Sequence, residues 1–137
     1  MSFANNLENA ILDALLGVSA TMLGASVDIA LSTTNPGEDG TGITEPSGAG
    51  YARVTVNNDG GEWGAASGGV KSNLNNITFP QASGGNWGLI SHWAMYDSGV
   101  MKLYGEIDDG AGTPTPRQVN DGDTFRFLAG KLRISLD

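Results

Sequence analysis

The sequence predicts a mainly β protein, an antiparallel β-sandwich of jelly-roll type with about seven or eight short strands, preceded by one N-terminal α-helix. Three observations predict it. Apolar residues recur at spacings of three and four only in the first 17 positions, and beyond residue 26 the spacing becomes two. Turn-forming phrases such as Asn-Pro-Gly, Asp-Gly and Ser-Gly separate the alternating stretches. Gly reaches 21 of 137 residues, about twice average usage, as many tight turns between short strands require.

The helix comes first. Phe3, Leu7, Ile11 and Leu15, with Ala10 and Ala14, form one apolar stripe, which Leu12 and Leu16 widen. Ser2 or Asn5 is a candidate cap and Gly17 a candidate stop, so residues 1–17 read as helical. Glu8, Asn9 and Asp13 form the polar face. The apolar stripe packs either on its own domain or on a neighbouring subunit.

The remaining residues, 26–137, read as the sandwich. Val27, Ile29 and Leu31 share one face of a half-buried strand over 26–33. Residues 34–50 are rich in Gly, Pro and acids and lack alternation. Such a long connection is expected to be functional, mobile or ordered by a partner. Alternation resumes over 51–57, and Asp59-Gly60-Gly61 turns the chain. Residues 62–76 read as loop with short strand pieces, and Ile77-Thr78-Phe79 ends at Pro80 as an edge strand does. Residues 87–96 carry bulk on both faces, which places that strand centrally. Strands follow at 100–107 and 117–119, then Phe125 and Phe127 share a face, and Leu132, Ile134 and Leu136 alternate at the end. The whole reads as a single domain over 1–137.

Composition excludes several function classes. No Cys is present, so disulfides and cysteine zinc sites are ruled out. A net charge of −8 repels phosphate backbones and argues against nucleic-acid binding. No apolar run approaches a membrane span. The first residues lack a basic region, and Glu8 and Asp13 interrupt the apolar stretch, so no signal peptide is expected.

Catalytic and metal chemistry find little support. His92 is the only histidine and sits mid-strand, without a G-x-S-x-G nucleophile turn elsewhere. Asp121-Gly122-Asp123, Asp108-Asp109 and Glu38-Asp39-Gly40 offer oxygen ligands, but none follows a calcium-loop pattern. Glu8, Glu38, Glu45, Glu62 and Glu106 supply carboxylates without a local pattern that pairs two of them for glycoside hydrolysis. The Gly64–Gly69 stretch lacks the Lys-Ser/Thr of a phosphate loop. No cofactor, no metal and no enzymatic activity are expected. Trp63 and Trp87 follow Gly-rich turns and are the two aromatics expected at the surface, where they would make a sugar-stacking platform.

The order of several phrases carries more information than any one of them. Asn6-Leu7-Glu8-Asn9-Ala10-Ile11-Leu12-Asp13-Ala14-Leu15-Leu16-Gly17 is followed by Ala30-Leu31-Ser32-Thr33 and by Asn35-Pro36-Gly37-Glu38-Asp39-Gly40-Thr41-Gly42. Glu45-Pro46, Gly50-Tyr51-Ala52-Arg53, Trp63, Phe79-Pro80-Gln81-Ala82, Trp87-Gly88, His92, Tyr96-Asp97, Gly122-Asp123 and Phe127-Leu128-Ala129-Gly130 complete the series. This series resembles a family of small bacteriophage virion proteins of tail-fibre-like type, over nearly the whole chain.

The resemblance implies a particle component assembled in the host cytoplasm, and it brings no catalytic residues. A short chain without shaft-like repeats favours capsid decoration: a cement protein bound to the major capsid protein and to copies of itself, with trimers expected at three-fold positions. The helix and the 34–50 loop would supply that contact, through Phe3, Leu7, Ile11, Pro36 and Asp39. Each apolar side chain buried there would contribute roughly 1.5–3 kcal/mol. The alternative is a tail-fibre or tail-tip component that binds host glycans through Trp63 and Trp87.

Overall fold

A computed structural model describes residues 1–17 and 22–136. The final residue of the expected domain, Asp137, lies outside them. The fold is mainly β with one helix, and every strand pairing is antiparallel. The strands are β1 (Ser2–Phe3), β2 (Ser26–Ser32), β3 (Val54–Asn57), β4 (Val70–Ser72), β5 (Ile77–Thr78), β6 (Gly88–Ile90), β7 (His92–Asp97), β8 (Val100–Glu106), β9 (Arg117–Val119), β10 (Arg126–Phe127) and β11 (Arg133–Ser135). The helix α1 spans Asn5–Leu15.

Five strands form the main sheet in the order β1-β8-β7-β2-β3, so β7 lies at its centre, as the bulk on both its faces predicts. Opposite it lie three two-stranded ribbons, β10-β5, β11-β4 and β6-β9. The arrangement is sandwich-like, with the second layer divided into ribbons rather than joined in one sheet. The division follows from strand length: strands of two or three residues, cut by Gly-rich turns, offer too few ladder bonds to span a layer.

The core lies between the layers. Val27, Ile29 and Leu31 of β2, Trp93 and Met95 of β7 and Leu103 of β8 project from the sheet. The ribbon side contributes Ile77, Phe79, Phe125 and Phe127. Phe79, Phe125 and Phe127 meet edge to face, with ring centroids 5.2–6.4 Å apart, the geometry that ring quadrupoles favour. The sheet's other face holds a smaller cluster of Ala4, Ala30, Ala94, Tyr96 and Met101.

A β-bulge between β7 and β8 sorts side chains between the two faces. Met95 pairs with Leu103 but Tyr96 pairs with Met101, so Lys102 is the extra residue. Met101 and Leu103 would share a face in a regular strand, and here they enter opposite clusters. The bulge also receives the helix: the Ala4 N–H donates to the Lys102 carbonyl (2.8 Å) and the Asn6 amide donates to the Met101 carbonyl (3.0 Å).

Two sequence expectations need correction here. The helix does not begin at residue 1: Ser2 and Phe3 pair with Tyr104 and Leu103 as an edge strand, because β8 offers an open edge there. Neither Ser2 nor Asn5 caps it; Ala4 holds that position without a side-chain cap. The stop is as expected, with Gly17 at φ +96°, a backbone region that favours glycine. The expected strand over 87–96 is split at Ser91. β6 pairs with β9 in a ribbon and β7 joins the main sheet, so one extended segment serves both layers.

Candidate partner-binding surface

The 34–50 loop, a candidate contact segment by its length, is fastened to its own domain along its course. The Thr33 N–H donates to the Thr44 carbonyl (3.0 Å), Thr44 N–H to Ser32 Oγ (3.0 Å) and Thr34 Oγ1 to the Gly42 carbonyl (2.6 Å). Gly42 N–H closes a turn onto the Pro36 carbonyl (2.9 Å), with the backbone so close that a Cβ at Gly42 would collide with the Asn35 carbonyl oxygen. Asp39 Oδ1 accepts from the Thr41 N–H and hydroxyl, and these bonds hold its carboxyl below the usual range.

A partly exposed ion pair clamps the end of this loop. Arg53 holds Glu45 through two bonds of 3.0 and 2.7 Å, and Tyr51 Oη donates to Glu45 Oε1 (2.7 Å) while accepting from the Leu31 N–H (3.0 Å). Arg53 also lies over the Tyr96 ring, 3.8 Å from its centroid. Burial pushes the Glu45 carboxyl up, but the Arg53 and Tyr51 hydrogen bonds outweigh that and leave it below its ordinary value. Burial, together with Glu45, drives the Tyr51 hydroxyl well above its usual range.

The two tryptophans do not form a surface platform. Trp63 and Trp87 are each only 5% exposed. Trp63 Nε1 donates to the Asn57 carbonyl (3.1 Å), and Trp87 Nε1 donates to the Ala49 carbonyl (2.9 Å) with its ring edge-on to Tyr51 at 5.2 Å. The Gly-rich turns before them bend the chain so that the indoles enter the core. The expectation of exposed stacking faces is therefore corrected.

His92 shares a shallow depression with Tyr104 and Glu106, its cross-strand partner. Its Nδ1 lies 2.8 Å from Oγ of the adjacent Ser91, a local contact. Burial lowers the His92 pKa, with Glu106 opposing. Ser91 is not among the residues lining that depression. No cluster of three or more metal-ligating side chains occurs among the described residues.

What the surface does offer is apolar. A groove of about 530 Å³ runs between α1 and β11, lined by Phe3, Leu7, Ile11, Leu23, Ile134 and Leu136. Beside it the C-terminal half of α1 and the residue that follows it present Leu12, Leu15 and Leu16 to solvent, at 55%, 73% and 81% exposure. Of the expected contact residues, Phe3 and Ile11 are half-buried on the groove and Asp39 is exposed on the loop. Leu7 and Pro36 are buried in their own domain, Leu7 as the helix's anchor in the core and Pro36 under the loop's turn. The missed residues are Leu12, Leu15 and Leu16. They follow from the sequence once Leu7 is taken as the inward centre of α1, because steps of 100° turn Leu12 and Leu15 away from the core and Leu16 follows at the helix end.

The β-rich fold leaves an apolar groove and an exposed leucine face open beside its helix. The family described as podophage GP4 fiber I protein gp80 matches residues 2–135, and the chain belongs to that family. It is accordingly a phage virion component of tail-fibre type. A search of curated proteins finds no match.

Proposed function

We propose that this chain is a non-enzymatic structural component of the phage tail fibre, joined to the rest of the fibre through the α1 side of the molecule. The observation that carries the reading is the fiber-family match over nearly the whole length, 2–135. The open groove and leucine face give that role a physical means of attachment. The family description favours a fibre over the capsid-decoration role that a short chain without shaft-like repeats suggests. Glycan recognition through Trp63 and Trp87 has no support in their burial.

Quantitative mass spectrometry of purified particles, with immunogold labelling, tests the proposal. A copy number that is a small multiple of the fibre count, with label on the tail, is the expected result. Hundreds of copies with label over the head would overturn it in favour of capsid decoration. Absence from the particle would overturn any structural role.

A further inference from the structure

We propose that a pocket between the 108–114 loop and the 128–131 turn binds a carboxylate-bearing sugar of an acidic polysaccharide. Arg117, Arg126 and Lys131 line a depression of about 220 Å³ together with Asp108, Asp109 and Leu128. That is smaller than the roughly 300–1,000 Å³ of a site for a drug-sized ligand, and it suits one ring of a longer chain. Arg117, Arg126, Lys131 and Arg133 are four of the chain's seven Lys and Arg residues, and Arg133 Nη1 donates to the Gly110 carbonyl of the same loop (3.1 Å). In a chain of net charge −8, this concentration of cations makes the pocket a part of the surface that an anion can approach.

The charges around this space stand apart. Three cations and two carboxylates line it, yet none of them forms a salt bridge among the described residues. Arg117 Nη1 donates to the Arg126 carbonyl (2.9 Å), and its guanidinium lies over the Phe125 ring, 4.4 Å from the centroid. These contacts fix the plane of the guanidinium and leave its other N–H groups to meet a carboxylate. Burial lowers the Arg117 pKa, with Asp108 opposing, so an arriving anion would offset the cost of burying this charge. Lys131 lies across Gly110, which has φ +82°, and a Cβ there would collide with the lysine stem. Asp108 Oδ1 accepts from the Gly110 N–H (2.8 Å) and Asp109 Oδ1 from the Ala111 N–H (2.7 Å), while Oδ2 of Asp108 has no hydrogen-bond partner among the described residues.

Cations and carboxylates in one pocket select a ligand that carries both a negative group and hydrogen-bond donors. Inorganic phosphate would bring like charge to two aspartates. The side chain of a glutamate in a peptide would bring no hydroxyl to Asp108. An acidic sugar brings both on one ring: a carboxylate for the arginines and hydroxyls for the aspartates, with Leu128, half exposed, as an apolar wall for its C–H face. The pocket shares no lining residue with the α1 groove, so binding here is independent of attachment there.

Isothermal titration calorimetry of the purified full chain with a panel of short uronic-acid and sialic-acid oligosaccharides tests the site. No tryptophan lines the pocket, so heat rather than fluorescence is the readout. The expected result is binding of at least one acidic oligosaccharide, with its neutral counterpart of the same length at least ~10-fold weaker. Arg126→Glu and Lys131→Glu, both at exposed positions, should each weaken binding ~10-fold or more, since a hydrogen bond to a charged group is worth roughly tenfold. Lys102→Glu makes the same change of charge on β8, outside the pocket, and should bind as the wild type does. Circular dichroism and thermal melting establish that each variant is folded. A panel in which nothing binds overturns the proposal, as does a neutral oligosaccharide that binds as tightly as the acidic one. Equal binding of inorganic phosphate, or of a glutamate peptide of the same charge, overturns it in favour of a general anion site or a protein partner. Equal weakening by Lys102→Glu overturns it in favour of the overall field of the chain.

Discussion

Replacing Asn73 with alanine removes one of the most heavily used polar side chains of the interior. Asn73 is 2% exposed and follows β4 directly. Its amide donates to the carbonyls of Asn75 (2.7 Å) and Leu128 (3.0 Å), and its Oδ1 accepts from the Leu132 N–H (2.9 Å). Its backbone completes the junction, with the Gly130 N–H donating to the Asn73 carbonyl (2.7 Å). One residue thereby ties the turn before β11 to the turn after β4. Alanine would leave a buried N–H and two carbonyls without these partners. At about 1 kcal/mol for each lost bond, with more for the stranded N–H, the expected loss is about 3 kcal/mol. That is a large share of the roughly 5–15 kcal/mol by which domains are stable. Urea denaturation followed by fluorescence measures it as a lower midpoint at unchanged slope. Asn73→Asp should cost at least as much, because a carboxylate would face the two carbonyl oxygens. A loss below about 1 kcal/mol for Asn73→Ala would refute the assignment of Asn73 as the tie between these turns.

Three further outcomes are expected. Glu45→Gln should cost about 1 kcal/mol near pH 7, solvent screening at this partly exposed pair keeping the figure small. Because the folded-state pKa of Glu45 is lowered, its contribution is present above the ordinary value of 4.5 and is lost as pH falls below it, so wild type and variant should converge in acid when unfolding is followed against pH. Gly42→Ala should destabilise by about 1–3 kcal/mol through collision with the Asn35 carbonyl, seen as a lower melting temperature together with faster proteolysis within residues 34–50. All three tryptophans are buried, so fluorescence emission should be blue-shifted, weakly quenched by iodide and unchanged by added oligosaccharide; strong quenching would show that Trp63 or Trp87 is open to solvent.

Much of the fold is legible in the residues because alternation is a strong signal wherever one face is buried. The spacing of Val27, Ile29 and Leu31 and of Phe125 and Phe127 places them in the core, where the structure has them. The central place of β7 follows from its bulk on both faces. Other features depend on contacts distant in sequence. Ser2 and Phe3 look helical by periodicity, but a free edge on β8, a hundred residues away, claims them. The break at Ser91 leaves no mark in the alternation, since both of its halves are extended. Trp63 and Trp87 look exposed after their glycines because a turn signal says where the chain bends and nothing about which side faces the core. The apolar site was half legible: Phe3 and Ile11 are on it, while Leu12, Leu15 and Leu16 become distinct only when Leu7 fixes the rotation of the helix.

The break at Ser91 has a mechanical consequence. Its N–H donates to the Ser32 carbonyl (3.0 Å) and its carbonyl accepts from the Ile107 N–H (2.8 Å), so the corner is gripped from the ends of β2 and β8 at the point where the chain changes layers. A pull on the β6–β9 ribbon therefore reaches the middle strand of the main sheet along covalent bonds, with no need for the packed side chains between the layers to transmit it. A particle component that is tugged from one side would carry the load through its backbone, and the core would be left to keep water out.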